Sequence, residues 1–490
     1  MVMGDSLGQG CRNLSVTSLN CSQCYAGIVA GEMGWALRKP AYPKPALFDL
    51  LDVISELDID IPIVIPELLI QIRDNIDFWN SKEWMQPDGT IHDNIAITGA
   101  TYDDLFTNSA QFYRDRIANL AKQSLPQLLD NKAAGTTLSD LHLAITAMYA
   151  LNPAGDNSTD ANAWSNTAFK IIQARRPENL FVDIGHNGTD SYFFGSGGDA
   201  LPLKQPSPDN GFDPDRYIQT MKRVVDQLAS LNVGGGTSIK IYMSVLPKLS
   251  AVANLSPLGA FKGGYYDRYE PTLSASKYTL SRDQMAALDQ AVQDANNAVT
   301  AYAAAKDPTN IVIVDYYSLF DALDYKNSNQ GKADAAKQIA IGSNRIDNRY
   351  VTGRDVWYPD PTSSKPRGHF GCVFEEGGFQ SIDGMHPSAV GYARVAIEIL
   401  TKYMGHAVTP AKQDSLYQAA FAGDPLLAHF PINLEPILGT LKVVRRGGGS
   451  SETIQGNDVP VATAIHILNG TNSNASQDFV RSVARQSNLS

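Results

Sequence analysis

The chain has 490 residues, 43% of them hydrophobic and 19% charged, with a formal net charge of −11. That is enough apolar material for one large domain or for two to three ordinary ones. The acidic balance argues against nucleic acid or an anionic membrane as partner, since both call for basic surface.

The chain opens MVMGDSLGQG. The residues before Gly4 leave room for a strand of only two or three residues, and Ser6 falls on the turn that follows it. So short a strand reads as that of a processed or truncated chain. No basic n-region or apolar h-region is visible, so the location stays open, with a slight preference for secreted or extracytoplasmic. Cys11, Cys21 and Cys24 lie close together and Cys372 far away. Cys21-x-x-Cys24 lacks a second CxxC to complete a zinc site, so these residues read as a small disulfide or as buried thiols. The run Ile61-Pro-Ile-Val-Ile-Pro-Glu-Leu-Leu-Ile70 is too short and too interrupted for a membrane span, and no integral membrane segment is expected.

Strands are predicted at 94–98, 180–184, 239–245 and 311–315, each a short apolar or β-branched run. Helices are predicted between them. Thr137-Leu-Ser-Asp140 has the form of a capping box, with Leu138, Leu141, Ile145 and Met148 on one stripe behind it. Residues 214–231 carry Tyr217, Met221, Val224, Leu228 and Leu231 on another. Ser388 can cap a helix whose inner face holds Tyr392, Val395, Ala396 and Ile399. This alternation predicts an α/β fold with a largely parallel sheet. Residues 1–405 form the expected catalytic domain, with large insertions at about 35–92 and 317–380. Residues 406–490 form an extension of unknown role with a Gly-rich connector after Arg446.

In an open parallel sheet, ligands bind beyond the carboxyl ends of the strands. There the sequence places Asp5-Ser6, Gly99, Gly185-His186-Asn187 and, before the last helix, Asp383-Gly-Met-His386. Nucleophile, base, orienting acid and oxyanion donors are the parts needed for acyl transfer. In a short turn Asp383 can accept from Nδ1–H of His386 and leave Nε2 free for a serine proton. Asp183-Ile-Gly-His186 has the same spacing. On a strand its two side chains would point to opposite faces, so it is not expected to form a dyad. His186 then reads as a supporting histidine. His92, His142, His369, His406, His429 and His466 show no ligand spacing, and Tyr265-Tyr266-x-x-Tyr269 reads equally as groove lining or local packing. A different class of reading uses Asp5, Asp183, His186, Asp383 and His386 around a metal ion, which gives Gly99 no part.

Taken together, the four blocks resemble the GDSL, or SGNH, hydrolase family: Gly4-Asp5-Ser6-Leu7, a strand running into Gly99, Gly185-His186-Asn187-Gly188 and Asp383-Gly-Met-His386-Pro387, all in the family order. The resemblance covers roughly residues 1–405. It implies a three-layer αβα sandwich with a flavodoxin-like sheet and a serine-dependent carboxylic ester hydrolase. Ser6 would be the nucleophile, His386 the base and Asp383 its orienter. The N–H groups of Ser6 and Gly99 and the Asn187 amide would form the oxyanion hole, with no metal or organic cofactor. Expected substrates are small-molecule or lipid esters, and the family spans lipases, thioesterases, phospholipases and carbohydrate deacetylases. The apolar stretch Leu47–Ile70 would favour acyl substrates if it covered the site. One departure stands out: Gly188 occupies the place of a family Asp, with Asp190 two residues on, which leaves open how Asn187 is held. A binding module on a decayed hydrolase fold is the non-enzymatic alternative.

Overall fold

The computed structural model describes residues 1–13, 15–49, 64–87, 90–123, 137–187, 212–233, 237–271, 279–328, 334–356 and 371–427. The Gly-rich connector, Gly188, Asp190 and most of the apolar stretch between Leu47 and Ile70 lie outside these residues.

The strands that form the centre are short and apolar: β1 (Val2–Gly4), β2 (Asn179–Asp183) and β3 (Lys240–Ser244). An outer antiparallel sheet of β4 (Leu255–Lys262), β5 (Tyr265–Pro271) and β6 (Leu280–Ser281) follows, and then β7 (Ile311–Val314) returns to the centre. β1, β2, β3 and β7 pair in that order and all in parallel, with Met3 opposite Val182 and Phe181 opposite Tyr242. Runs without polar alternation suit this place, because a parallel sheet is covered on both faces.

On the free side of β1 the predicted strand at 94–98 lies alongside. The N–H of Ile95 donates to Val2 O and that of Ile97 to Gly4 O, both at 2.9 Å. Including this segment, the spatial order in chain numbering is 2-1-3-4-5, the flavodoxin-like arrangement. Its switch point lies between β1 and β2. The fold is thus the α/β architecture expected, with helices layered on the sheet.

Those helices begin at polar caps. Asp213 accepts from Arg216 N–H ahead of Pro214–Ser230, and Ser388 from Gly391 N–H ahead of Ala389–Glu398. A reciprocal Ser281/Gln284 box opens Arg282–Lys306. The predicted stripes face inward: Tyr217, Met221, Val224, Leu228 and Leu231 are all buried, as are Tyr392, Val395, Ala396 and Ile399.

The two long excursions contribute to the core. Within 35–92, helix Val64–Asn80 brings Trp79 against Tyr42, Trp84 and Tyr149, and Trp79 Nε1–H donates to Pro45 O at 3.0 Å. The tyrosines of β5 pack locally. Tyr269 donates to Asn327 at 2.7 Å, Tyr266 to Ser328 O at 3.0 Å and Tyr265 to Asp289 at 3.0 Å. Beyond residue 405, helix Pro410–Gly423 packs on Ala389–Glu398, with Tyr417 and Phe421 buried. No helix among the described residues is long and apolar enough to cross a membrane.

Candidate active site

The turn after β1 is built on close backbone contact. Asp5 N–H donates to Asp183 O at 2.6 Å, which draws β1 onto β2. Gly4 has φ +144°, and a Cβ there would stand 2.0 Å from Asp183 O, so only glycine fits. Asp5 then caps the four-residue helix Ser6–Gln9, its Oδ1 accepting from Leu7 N–H at 3.1 Å. Ser6, at the first position of that helix, has an N–H for which the helix offers no partner.

The last turn before Ala389–Glu398 faces it. Asp383 is buried, and its Oδ1 accepts from the N–H groups of Met385 at 2.9 Å and His386 at 2.8 Å. Its Oδ2 lies 3.0 Å from His386 Nδ1, and His386 Nε2 lies 2.8 Å from Ser6 Oγ. Burial opposes ionisation of Asp383. The facing His386 ring, its hydrogen bond and the two backbone N–H groups outweigh it and hold the carboxyl below the usual range. An ionised Asp383 puts the ring hydrogen on Nδ1, so Nε2 can accept the serine proton. Gly384, at φ +69°, lets the turn pass against Asn254, where a Cβ would stand 2.9 Å from Asn254 N.

Two further loops reach the same place. Gln9 Oε1 accepts from Thr98 N–H at 2.9 Å and also from the Thr98 hydroxyl, tying the Gly99 turn to the helix that carries Ser6. Gly99 has φ +81°. Asn187 Nδ2 lies 3.5 Å from both Ala100 O and Asp5 Oδ2, long contacts that leave its amide weakly held by these two groups. All five expected site residues therefore sit around the switch point.

A family model described as GDSL-like Lipase/Acylhydrolase matches residues 76–399, more than half of the chain. The chain belongs to this family. Searches of curated proteins and of solved structures returned no match. The matched stretch of the GDSL-like chain holds Gly99, Asn187, Asp383 and His386, whereas Ser6 lies outside it and is joined to it by geometry.

Around these residues the family member carries groups that linear reading did not connect. His186 Nδ1 lies 2.7 Å from Asp5 Oδ2 in full burial. Burial opposes charge on this ring, but Asp5 and then Asp183 overcome it and raise its pKa. Asp183 instead accepts from the hydroxyls of Tyr25 and, at 3.0 Å, Tyr316, so the spacing-equivalent pair Asp183/His186 forms no hydrogen-bonded dyad. The Asp5–His186 contact spans 181 residues and leaves no local signal.

His142, on helix Thr137–Leu151, is another residue without a motif. Its pKa falls to about 4, through burial first and the neighbouring His386 second. Its neighbour Leu143 approaches to 3.5 Å of where a Gly99 Cβ would be, so this helix borders the site. Cys11, Cys21 and Cys24 are free buried thiols, all with pKa raised, chiefly by burial. Among the described residues no group of three or more His, Cys, Asp or Glu side chains could hold a metal ion.

Proposed function

We propose that this acylhydrolase-family protein is a serine-dependent carboxylic ester hydrolase with Ser6 as nucleophile. The observation that carries the proposal is the continuous chain Asp383 Oδ2–Nδ1 His386 Nε2–Oγ Ser6, at 3.0 and 2.8 Å.

In this scheme Ser6 Oγ attacks the acyl carbon while His386 Nε2 takes its proton. Negative charge moves to the former carbonyl oxygen, which the N–H groups of Ser6 and Gly99 and the Asn187 amide stabilise. The intermediate collapses, His386 returns the proton to the leaving alcohol, and the acyl group remains on Ser6. Water then repeats the sequence with His386 as base, releasing the acid. Asp383 keeps the proton on Nδ1 throughout and offsets the imidazolium charge. A catalytic site of this kind needs no metal.

A series of p-nitrophenyl esters from acetate to palmitate, assayed with and without EDTA, tests this reading and measures acyl preference. Hydrolysis that resists EDTA and disappears in a folded Ser6→Ala variant is the expected outcome. Activity retained by Ser6→Ala, or lost completely on chelation, would refute it.

A further inference from the structure

Ser6 and His386 are 380 residues apart, and their 2.8 Å contact depends on how the segments carrying them are held together. Asn13 makes one tie, its N–H donating to Ser381 Oγ at 3.0 Å and its Oδ1 accepting from Ile382 N–H at 3.2 Å. Tyr392 makes another, its hydroxyl donating to Cys11 O at 2.8 Å.

A third comes from beyond the family match. Asp424, at the end of helix Pro410–Gly423, is fully buried. Its Oδ2 accepts from Ala389 N–H at 2.8 Å, three residues past His386. The same oxygen stands 3.6 Å from Arg12 Nη1, and Arg12 is itself 1% exposed. Arg12 directly follows the turn in which Gly10 and Cys11 N–H both donate to Ser6 O. Its remaining nitrogens donate to Asn20 Oδ1 at 3.0 Å and to Gln23, while Gln23 donates to Gly423 O at 2.9 Å. Among the described residues Nη1 has no hydrogen-bond acceptor, and the Asp424 carboxylate is the anion that offsets this buried guanidinium.

We infer that Asp424 is a positioning residue for the reaction, setting the Ser6 and His386 segments against each other from outside the matched catalytic region. The inference rests on the ester-hydrolase reading. Its chemistry is acceptor and counter-charge at one atom: Oδ2 fixes the first N–H of the helix behind His386 and balances Arg12 behind Ser6. Displacement of a reacting pair by about 1 Å can cost on the order of a hundredfold in rate. Loss of one tie out of three is expected to cost about tenfold.

The test uses the full chain as wild type, Asp424→Ala, and the double variant Arg12→Met/Asp424→Leu. The single variant leaves Arg12 buried and unbalanced, so its melting temperature should fall. The double variant removes both charges and should recover much of that loss, yet Ala389 N–H still lacks its acceptor. On folded protein, the second-order rate of labelling by a fluorophosphonate and kcat for p-nitrophenyl acetate should stay about tenfold below wild type in the double variant, with KM within about twofold. A double variant that is stable and labels at the wild-type rate would make Asp424 structural only and overturn the inference. If the double variant does not fold, Asp424→Ala decides by the same rate on its folded fraction. A wild-type chain that takes no label at Ser6 overturns the ester-hydrolase reading with it, so the two failures are distinguishable.

Discussion

At the scale of residues, the candidate site is a set of side chains whose roles depend on a few backbone positions. Gly4 is one, since a methyl group there meets the Asp183 backbone. Gly4→Ala is expected to cost about 2–4 kcal/mol in urea unfolding, from steric contact and unfavourable φ together. A loss under half a kcal/mol would mean that the turn before Ser6 can relax. Asn187 tests the other half of the site. If its amide stabilises the oxyanion, Asn187→Ala should lower kcat by roughly 10²–10³ with little change in KM. An unchanged kcat would leave the oxyanion to backbone N–H groups alone. That Ser6, Asp383 and His386 would converge was legible in the sequence, because each lies in a short local motif. The Asp5–His186 contact and the nearness of His142 to His386 were not, because each depends on how separate loops converge.

At the scale of elements, the predicted strands and helices follow local patterning: β-branched runs for the sheet, apolar stripes and polar caps for the helices. The elements that escaped prediction have weaker signals. The hairpin β4–β5 carries tyrosines that fit a groove as well as a core, and only their partners Asn327, Ser328 and Asp289 decide for packing. Near it lies buried Lys326, donating to Leu255 O at 2.6 Å and to Val252 O, and so holding the loop in which Asn254 N–H donates to Gly384 O. Burial lowers its pKa from 10.5 to about 7, and Lys248 adds to this, against the opposing pull of Asp324 and Asp289. With the folded pKa below the unfolded one, the unfolded chain binds more protons between about pH 7 and 10.5. Stability from this group therefore rises with pH across that window. Wild type should gain stability relative to Lys326→Met between pH 7 and 9.5, read from urea midpoints with m-values compared. Parallel curves for the two proteins would contradict it.

At the scale of the whole molecule, one core runs from Val2 to Leu427, and both ends of the described chain enter it. The first residues are the middle of a sheet: Val2 N–H donates to Asp93 O, while Phe181 N–H donates to Met1 O. Removal of residues 1–5 is accordingly expected to abolish cooperative thermal unfolding and ester hydrolysis together. Normal melting after that deletion would show that the central strand is dispensable. The far end was the least legible part of the fold. Helix Pro410–Gly423 opens on a Thr409 cap followed by Pro410, a start signal that says nothing of where Asp424 falls against Ala389 and Arg12. Whether Ser6 is a nucleophile activated by His386 is read from peptide mapping after fluorophosphonate treatment. A single adduct on Ser6, lost in Ser6→Ala and strongly slowed in His386→Ala, is the predicted result. An adduct on another serine, or none from a chain that still hydrolyses esters, would contradict it.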